Sequence, residues 1–277
     1  AARFPFVELL ESQDADLTDP HSISVFVPAR NEAGNLEGAI RDIVSAAEEV
    51  FDDYEVLIVN DGSTDNTGEE AEGLARENSN IRVIHNPGNL GFDQCYRIAV
   101  GRAEKRYFVL LPGDHEIAGE SVRGIFGAAG SADLVVAYIQ NRETRTWRRR
   151  LMGHTCVFLS RIASGVRLRY FQGPVVYPTA FARTLPSETR GMFTMTEKLV
   201  YALKAGCTVV EVGLIHRNRK HGRSKSVSVQ NILTALRTIA RLWWRFRVRG
   251  KRPPQYRPAA GDASRGMDHM AAKGTQV

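Results

Sequence analysis

Ser22-Ile23-Ser24-Val25-Phe26-Val27-Pro28, followed at once by Ala29-Arg30-Asn31-Glu32, decides how the rest of the chain reads. The first part is a short apolar, β-branched run closed by a proline, the pattern of a buried strand. The second part is charged and amide-bearing. A dinucleotide fold would need G-x-G-x-x-G here, so that backbone amides could approach a pyrophosphate. That motif is absent, and the stretch otherwise reads as a turn and helix cap.

Working outward, Asn35–Val50 carries apolar residues at helical spacing: Leu36, Ile40, Ile43, Val44 and Ala47. Tyr54–Val59 is a second strand, and the polar stretch Asn60-Asp61-Gly62-Ser63-Thr64-Asp65-Asn66-Thr67 follows, with Thr64 or Asp65 placed to cap the next helix. Ile81–His85 is a third strand, Gly91–Glu104 a helix, and Tyr107–Leu111 a fourth strand, stopped by Pro112-Gly113-Asp114. A fifth strand falls at Asp133–Ile139. Strands alternating with helices predict an α/β fold: a single Rossmann-like domain with a mostly parallel sheet covered on both faces. Ligands of such sheets bind outside the carboxyl ends of the strands, so the segments just after each strand are the ones to inspect.

The second half is less regular. It holds an arginine-rich stretch at 142–150, a helix near 190–205, a strand at 208–212 and a basic loop at 216–226. The organisation expected is a lead-in at 1–21, a catalytic domain at 22–226, a basic amphipathic helix at 227–249 and a disordered tail at 250–277 rich in Pro, Gly, Ala and charge.

Bulk properties set the bounds. With 277 residues the chain can bury the core of one domain and carry a tail. A net charge of +6 points to an anionic partner: a phosphate, a nucleotide or a lipid surface. No recognised nucleic-acid module is present, so nucleic acid is not the expected partner. Cys95, Cys156 and Cys207 are far apart and odd in number, which argues against a disulfide framework or zinc site and fits a cytoplasmic location. No apolar run approaches the roughly 20 residues that span a bilayer. The chain begins at Ala1, compatible with a trimmed N-terminus.

Two strand ends carry candidate chemistry. Asp61 offers a carboxylate to a base or ribose, although the stretch around it is, on its own, an Asx-rich turn first. Asp114 and Glu116 offer hard oxygen ligands suited to Mg²⁺ or Mn²⁺ on a diphosphate. His115, His154, His216 and His221 are too scattered for a recognisable metal set, and none is taken as catalytic.

The order of these motifs resembles the family 2 glycosyltransferases, and among them the polyprenyl-phosphate mannosyl- and glucosyltransferases. The resemblance spans about 22–226 and includes Arg219-Lys220-His221-Gly222-Arg223-Ser224-Lys225, similar to an R-x-x-G-x-S-K stretch of that subgroup. It implies a glycosyltransferase A-type domain. Pro28, Arg30, Glu32 and Asp61 would line the nucleoside pocket. Gly113 and Asp114 would sit beneath the diphosphate of a GDP- or UDP-sugar, with Asp114 and Glu116 at the metal. Arg219 and Lys225 would reach phosphates, with Arg142 and Arg148 candidates from the arginine stretch. Asp114 and Arg219 are the expected catalytic residues of an inverting transfer to a polyprenyl phosphate.

Three departures stand out. Pro112 replaces the first aspartate of D-x-D, Asn60 replaces the first aspartate of D-D-G-S, and Tyr170-Phe171-Gln172-Gly173-Pro174 stands where the relatives carry an acidic segment. A phosphate acceptor is already anionic and needs no strong general base, so the lost acid is compatible with one. The same departures leave two other readings open: transfer to a soluble acceptor, and nucleotide-sugar binding without catalysis.

The 227–249 segment has an apolar stripe of Val229, Ile232, Leu233, Leu236, Ile239, Ala240, Trp243 and Phe246. Arg237, Arg241 and Arg245 follow one another at i, i+4. The combination fits a helix lying on an anionic membrane surface, giving an expected peripheral location on the cytoplasmic face. A helix packed on the domain, or at an oligomer contact, would show the same stripe.

Overall fold

The computed structural model describes residues 21–141, 147–217 and 229–257. Seven strands alternate with eight α-helices among them: β1 (Ser22–Ala29), α1 (Leu36–Val50), β2 (Asp53–Asn60), α2 (Thr67–Glu77), β3 (Ile81–His85), α3 (Phe92–Arg102) and β4 (Tyr107–Leu110). Then come α4 (Gly119–Gly127), β5 (Leu134–Ile139), α5 (Trp147–Ser164), β6 (Val175–Pro178) and α6 (Thr179–Thr184). A 3₁₀ turn (Gly191–Phe193) leads into α7 (Thr194–Lys204), β7 (Val209–Leu214) and α8 (Val229–Trp243), which ends in a π-helical turn (Trp244–Val248).

The strands form one sheet in the order β3-β2-β1-β4-β6-β5-β7. β6 runs antiparallel to both neighbours and every other pairing is parallel. Alternate residues of β1 explain why its run is apolar throughout. Ile23, Val25 and Val27 pack with Leu36, Ile40 and Ile43 of α1 on one face. Phe26 points to the other, among Tyr96 of α3, Phe108 and Leu199 of α7. A strand covered on both faces has no polar side to show.

The expected strands appear within a residue or two of their predicted ends. Four elements went unread: α4, α5, β6 and α6. The four-residue β6 is too short for periodicity to reveal. The arginine stretch runs directly into α5, whose sequence WRRRLMGHTCVFLSRIAS has no clean apolar stripe.

The expected disordered tail is corrected at its start. Tyr256 donates its amide to the Ala205 carbonyl at 2.9 Å, and its ring lies 4.6 Å from that of Phe181. Residues up to Arg257 therefore run along the α6–α7 side, because one aromatic finds an apolar seat that composition does not reveal.

Candidate functional site

The carboxyl ends of β1 and β2 are stitched to each other by side chains. Asn31, at a left-handed φ of 55°, accepts the Thr64 amide at 2.9 Å, while its own amide donates to Ser63 Oγ at 3.1 Å. Glu32 donates its amide to Thr67 Oγ1 at 2.8 Å. Glu70 of α2 accepts from the amides of Gly34 and Glu37 at 2.9 and 2.7 Å, so a protein carboxylate fills the start of α1. A dinucleotide fold holds its pyrophosphate at that place. The missing glycine motif thus has a structural counterpart.

Asp61 is buried, and both of its oxygens are engaged by the segment that leads into α3. Oδ1 accepts from Asn86 Nδ2 at 2.9 Å and the Leu90 amide at 2.8 Å, and Oδ2 accepts from the Gly91 amide at 3.0 Å. Burial alone would raise its pKa, but these donors outweigh that and hold it below the ordinary carboxylate value. The resemblance implies that Asp61 contacts a base or ribose; in the structure its oxygens bond Asn86, Leu90 and Gly91 and so shape the wall formed by Asn86–Gly91.

Asn60 gains a reason for being an amide. Its Oδ1 accepts from the Ser63 amide at 3.1 Å, and its Nδ2 lies 3.0 Å from His85 Nδ1. His85 Nε2 lies 2.9 Å from Glu72. With that ring nitrogen donating to the carboxylate, Nδ1 is an acceptor and needs a donor facing it. Asn60, Ser63, Asp65 and His85 line an open groove of about 600 Å³ at this edge of the sheet.

The turn after β4 carries Gly113, Asp114, His115 and Glu116. A β-carbon on Gly113 would stand 3.3 Å from the Pro28 carbonyl oxygen and 3.1 Å from Leu36, so glycine lets this turn press against the end of β1. Pro28 and Gly113, predicted separately, are neighbours. Asp114 Oδ1 accepts the Glu116 amide at 3.2 Å. His115 adopts a φ of 55° and sets Nε2 3.1 Å from Asp42 of α1. Its ring occupies the space that a side chain at Gly38 would need, since a β-carbon there would stand 2.5 Å from Nδ1. Left-handed non-glycine residues cluster at functional turns, and both described here, Asn31 and His115, fall after strands β1 and β4.

Glu116 meets His216, just beyond β7, at 2.9 Å. Ile117 and His216 form a β-bridge, and Arg217 donates its amide to the Glu116 carbonyl at 2.7 Å. Asn141, after β5, closes the join: its Nδ2 donates to the His216 carbonyl and its Oδ1 accepts the His216 amide, both at 2.8 Å. Three strand ends thus converge on the turn that bears Asp114.

Arg30 is exposed at the rim, and Pro28 and Glu32 are half-buried. Arg148 falls in the first turn of α5. Arg142, Arg219 and Lys225 lie outside the described residues. His216, Asp42, Glu70 and Asn86 are the residues that sequence reasoning missed. Each acts through a partner distant in the chain, and no local motif marks them.

The hard oxygen donors of this turn are the two carboxylates of Asp114 and Glu116, of which Glu116 is paired with His216. Asp114 and Glu116 stand on either side of His115 in a single turn, and no cluster of three or more His, Cys, Asp or Glu able to hold a metal occurs among the described residues. Mg²⁺ and similar ions commonly take one or two carboxylates plus substrate phosphates, rather than a full protein cage.

The family model for glycosyl transferase family 2 matches residues 24–187, more than half of the chain. The chain belongs to glycosyl transferase family 2. Glycosyltransferase AglD of Haloferax volcanii is 28% identical over 237 residues, covering 82% of this chain and 38% of the relative. An undecaprenyl-phosphate 4-deoxy-4-formamido-L-arabinose transferase of Pseudomonas fluorescens is 26% identical over 219 residues, covering 74% of this chain and 60% of the relative. This family 2 chain therefore spans between about two fifths and three fifths of the length of these two relatives. Among solved structures, glucosyl-3-phosphoglycerate synthase from Mycobacterium tuberculosis, in complex with Mn²⁺, uridine-diphosphate-glucose and phosphoglyceric acid, shares the fold. Its TM-score is 0.60 at 19% identity, over 87% of this chain and 86% of that one. The α/β glycosyltransferase fold and the glycosyltransferase class expected from the motifs are both borne out.

Proposed function

We propose that this family 2 glycosyltransferase moves a sugar from a GDP- or UDP-sugar to a polyprenyl phosphate at a membrane surface, with inversion at the anomeric carbon. The observation that carries the lipid acceptor is the way α8 sits. It docks on the domain through Ala235, Thr238, Ile239 and Leu242, which are buried. Most of the apolar stripe read from the sequence faces outward: Ile232, Leu233, Leu236 and Trp243 are all more than two fifths exposed, as is Trp244 beside them. Phe158 and Ile162 add exposed apolar side chains on α5, which packs against α8. Neither helix contains an aspartate or glutamate. An outward apolar face flanked by arginines and free of carboxylates suits the surface of an anionic bilayer. No helix among the described residues is long and apolar enough to cross a membrane. The contact proposed for α8 is peripheral, on the cytoplasmic face.

The acceptor chemistry agrees with the altered Tyr170–Pro174 segment. A phosphate oxygen is anionic at neutral pH and attacks the anomeric carbon without a base to deprotonate it. Bond formation to that carbon expels the nucleoside diphosphate from the opposite face. Asp114 and Glu116 would hold Mg²⁺ or Mn²⁺, which supplies charge neutralisation to the leaving diphosphate. Arg219 and Lys225 would hold phosphate oxygens of donor or acceptor, and Pro28, Arg30, Glu32 and the Asp61-braced wall would seat the nucleoside.

The test is a panel of GDP- and UDP-sugars with Mn²⁺ or Mg²⁺ and polyprenyl phosphate in vesicles, followed by partition of labelled product. One donor giving label in the lipid phase, lost in Asp114→Ala, supports the reading. Label found only in the aqueous phase transfers the assignment to a soluble acceptor. Nucleotide binding without turnover of any donor removes catalysis altogether.

A further inference from the structure

The outward stripe of α8 has an inward counterpart. Arg241 points into the domain, where Nη2 lies 2.5 Å from Oε1 of Glu197 and 2.5 Å from Oγ1 of Thr189. Glu197, on α7, has a fully buried side chain, and its other oxygen accepts the amides of Glu188 and Thr189 at 3.1 and 2.8 Å. Glu188 completes the grip, 3.7 Å from Arg241 and 3.0 Å from Arg245. Thr238, one turn before Arg241, meets Thr189 at 3.3 Å. At its far end the gripped loop is tied to α3, because the Gly191 amide donates to Asp93 Oδ1 at 3.0 Å. Asp93 stands two residues beyond Gly91, which Asp61 holds.

We infer that Arg241 is a positioning residue: it fixes the angle and register of α8 on the catalytic domain, so that a lipid-docked α8 presents the cleft to a membrane-held acceptor. The inference rests on the lipid-acceptor reading above. Its physical basis is a contrast between two kinds of contact. The buried face of α8 is narrow and made of small or aliphatic side chains, and apolar contact has no preferred direction. A guanidinium that holds a buried carboxylate and a hydroxyl at once sets direction and register together. Arg237, exposed on the same helix, faces outward toward lipid headgroups; Arg241 is committed to the domain.

The experiment compares two acceptors with the full chain: a long polyprenyl phosphate in anionic vesicles, and a short water-soluble prenyl phosphate without vesicles. Vesicle co-sedimentation is read alongside. In Arg241→Met, vesicle binding and turnover of the soluble acceptor stay near wild type, while kcat/KM for the vesicle acceptor falls about tenfold or more, as expected when reacting groups are held at the wrong angle. Arg241→Lys restores part of the loss. Glu188→Gln, which alters an exposed carboxylate and keeps the buried Glu197 pair, moves the same ratio in the same direction by less. These two variants decide the matter should Arg241→Met not fold. Equal losses on both acceptors, or no change on either, overturn the inference. A wild type that uses the soluble acceptor but neither binds vesicles nor uses the lipid overturns the lipid reading itself, and this inference with it.

Discussion

Nε2 of His216 lies 2.9 Å from Oε2 of Glu116, and both side chains are largely buried. The pair joins the turn that bears Asp114 to the strand end leading toward Arg219 and Lys225. His216→Ala removes a buried partner of Glu116 and is expected to cost about 1–3 kcal/mol of stability, seen as a lower denaturation midpoint with an unchanged slope. An unchanged midpoint would mean that the backbone bridge at Ile117 alone holds the join.

Asp114→Asn should behave in the opposite way. It keeps the size of the side chain and its place in the turn, so stability should move by no more than about 0.5 kcal/mol. On the proposed function, which sets Asp114 beside the departing diphosphate, donor turnover should fall about a hundredfold or more as that preorganised charge is lost. Turnover within threefold of wild type would show that Pro112 marks a site working without this carboxylate. Calorimetry of nucleotide binding with and without Mn²⁺ separates loss of metal-assisted binding from loss of chemistry.

Asp61 predicts a pH dependence. Its folded pKa lies below the unfolded value, so its contribution is present at neutral pH and is lost as pH falls through the folded value. Asp61→Asn can keep an acceptor toward Asn86 and Leu90 but turns an NH₂ group toward the Gly91 amide. The variant should be about 1–3 kcal/mol less stable at pH 7, with the gap closing below about pH 4. A gap that stays constant down to low pH would show that packing, not charge, accounts for it.

These residues also show how far the sequence could be read. The strand–turn–helix alternation was legible because each strand is short, apolar and followed by Pro, Gly, Asn or Asp. Asp61 and Asp114 were singled out because they stand just after strands, whereas Pro28 and Gly113 came from the family resemblance alone. Glu70, Asn86 and His216 were not legible: Glu70 reads as a surface residue of α2, and its role arises only when α1 is brought beside it. The apolar stripe of α8 was legible as a stripe, yet periodicity alone cannot say whether it faces the domain or the solvent. The domain takes the narrower face of Ala235, Thr238, Ile239 and Leu242, with Arg241 turned inward, because the buried Glu197 carboxylate needs a cation.

Lys198, beside Glu197, predicts a second pH effect. Its side chain is buried, with Nζ 3.1 Å from the Leu185 carbonyl and 4.6 Å from the Tyr96 ring centroid. Burial lowers its pKa to about 8, from an ordinary 10.5. Below about pH 8 both states carry the proton and the cost of burying it is fully present. Between pH 8 and 10.5 the folded state releases it first, so stability rises with pH. Relative to Lys198→Met, the wild type should gain about 3 kcal/mol across that interval. Parallel stability curves for the two proteins would place the lysine in contact with water.

The exposed face of α8 yields the last prediction. Leu233 and Leu236 are each nearly half exposed, so Leu233→Ser with Leu236→Ser should leave the melting temperature close to wild type. Transfer of two leucine side chains into the headgroup region is worth about 1.5–3 kcal/mol each when burial is complete. The double variant should therefore bind anionic vesicles at least about tenfold more weakly. The electrostatic share is read separately. Arg237, Arg247 and Arg249 are exposed, and each contributes about 1 kcal/mol near an anionic surface, so wild-type binding should weaken with added salt and on neutral vesicles. A helix that instead covers a second copy of the chain would give the opposite pattern: vesicle binding indifferent to the leucines, and a dimer that the double variant converts to monomer.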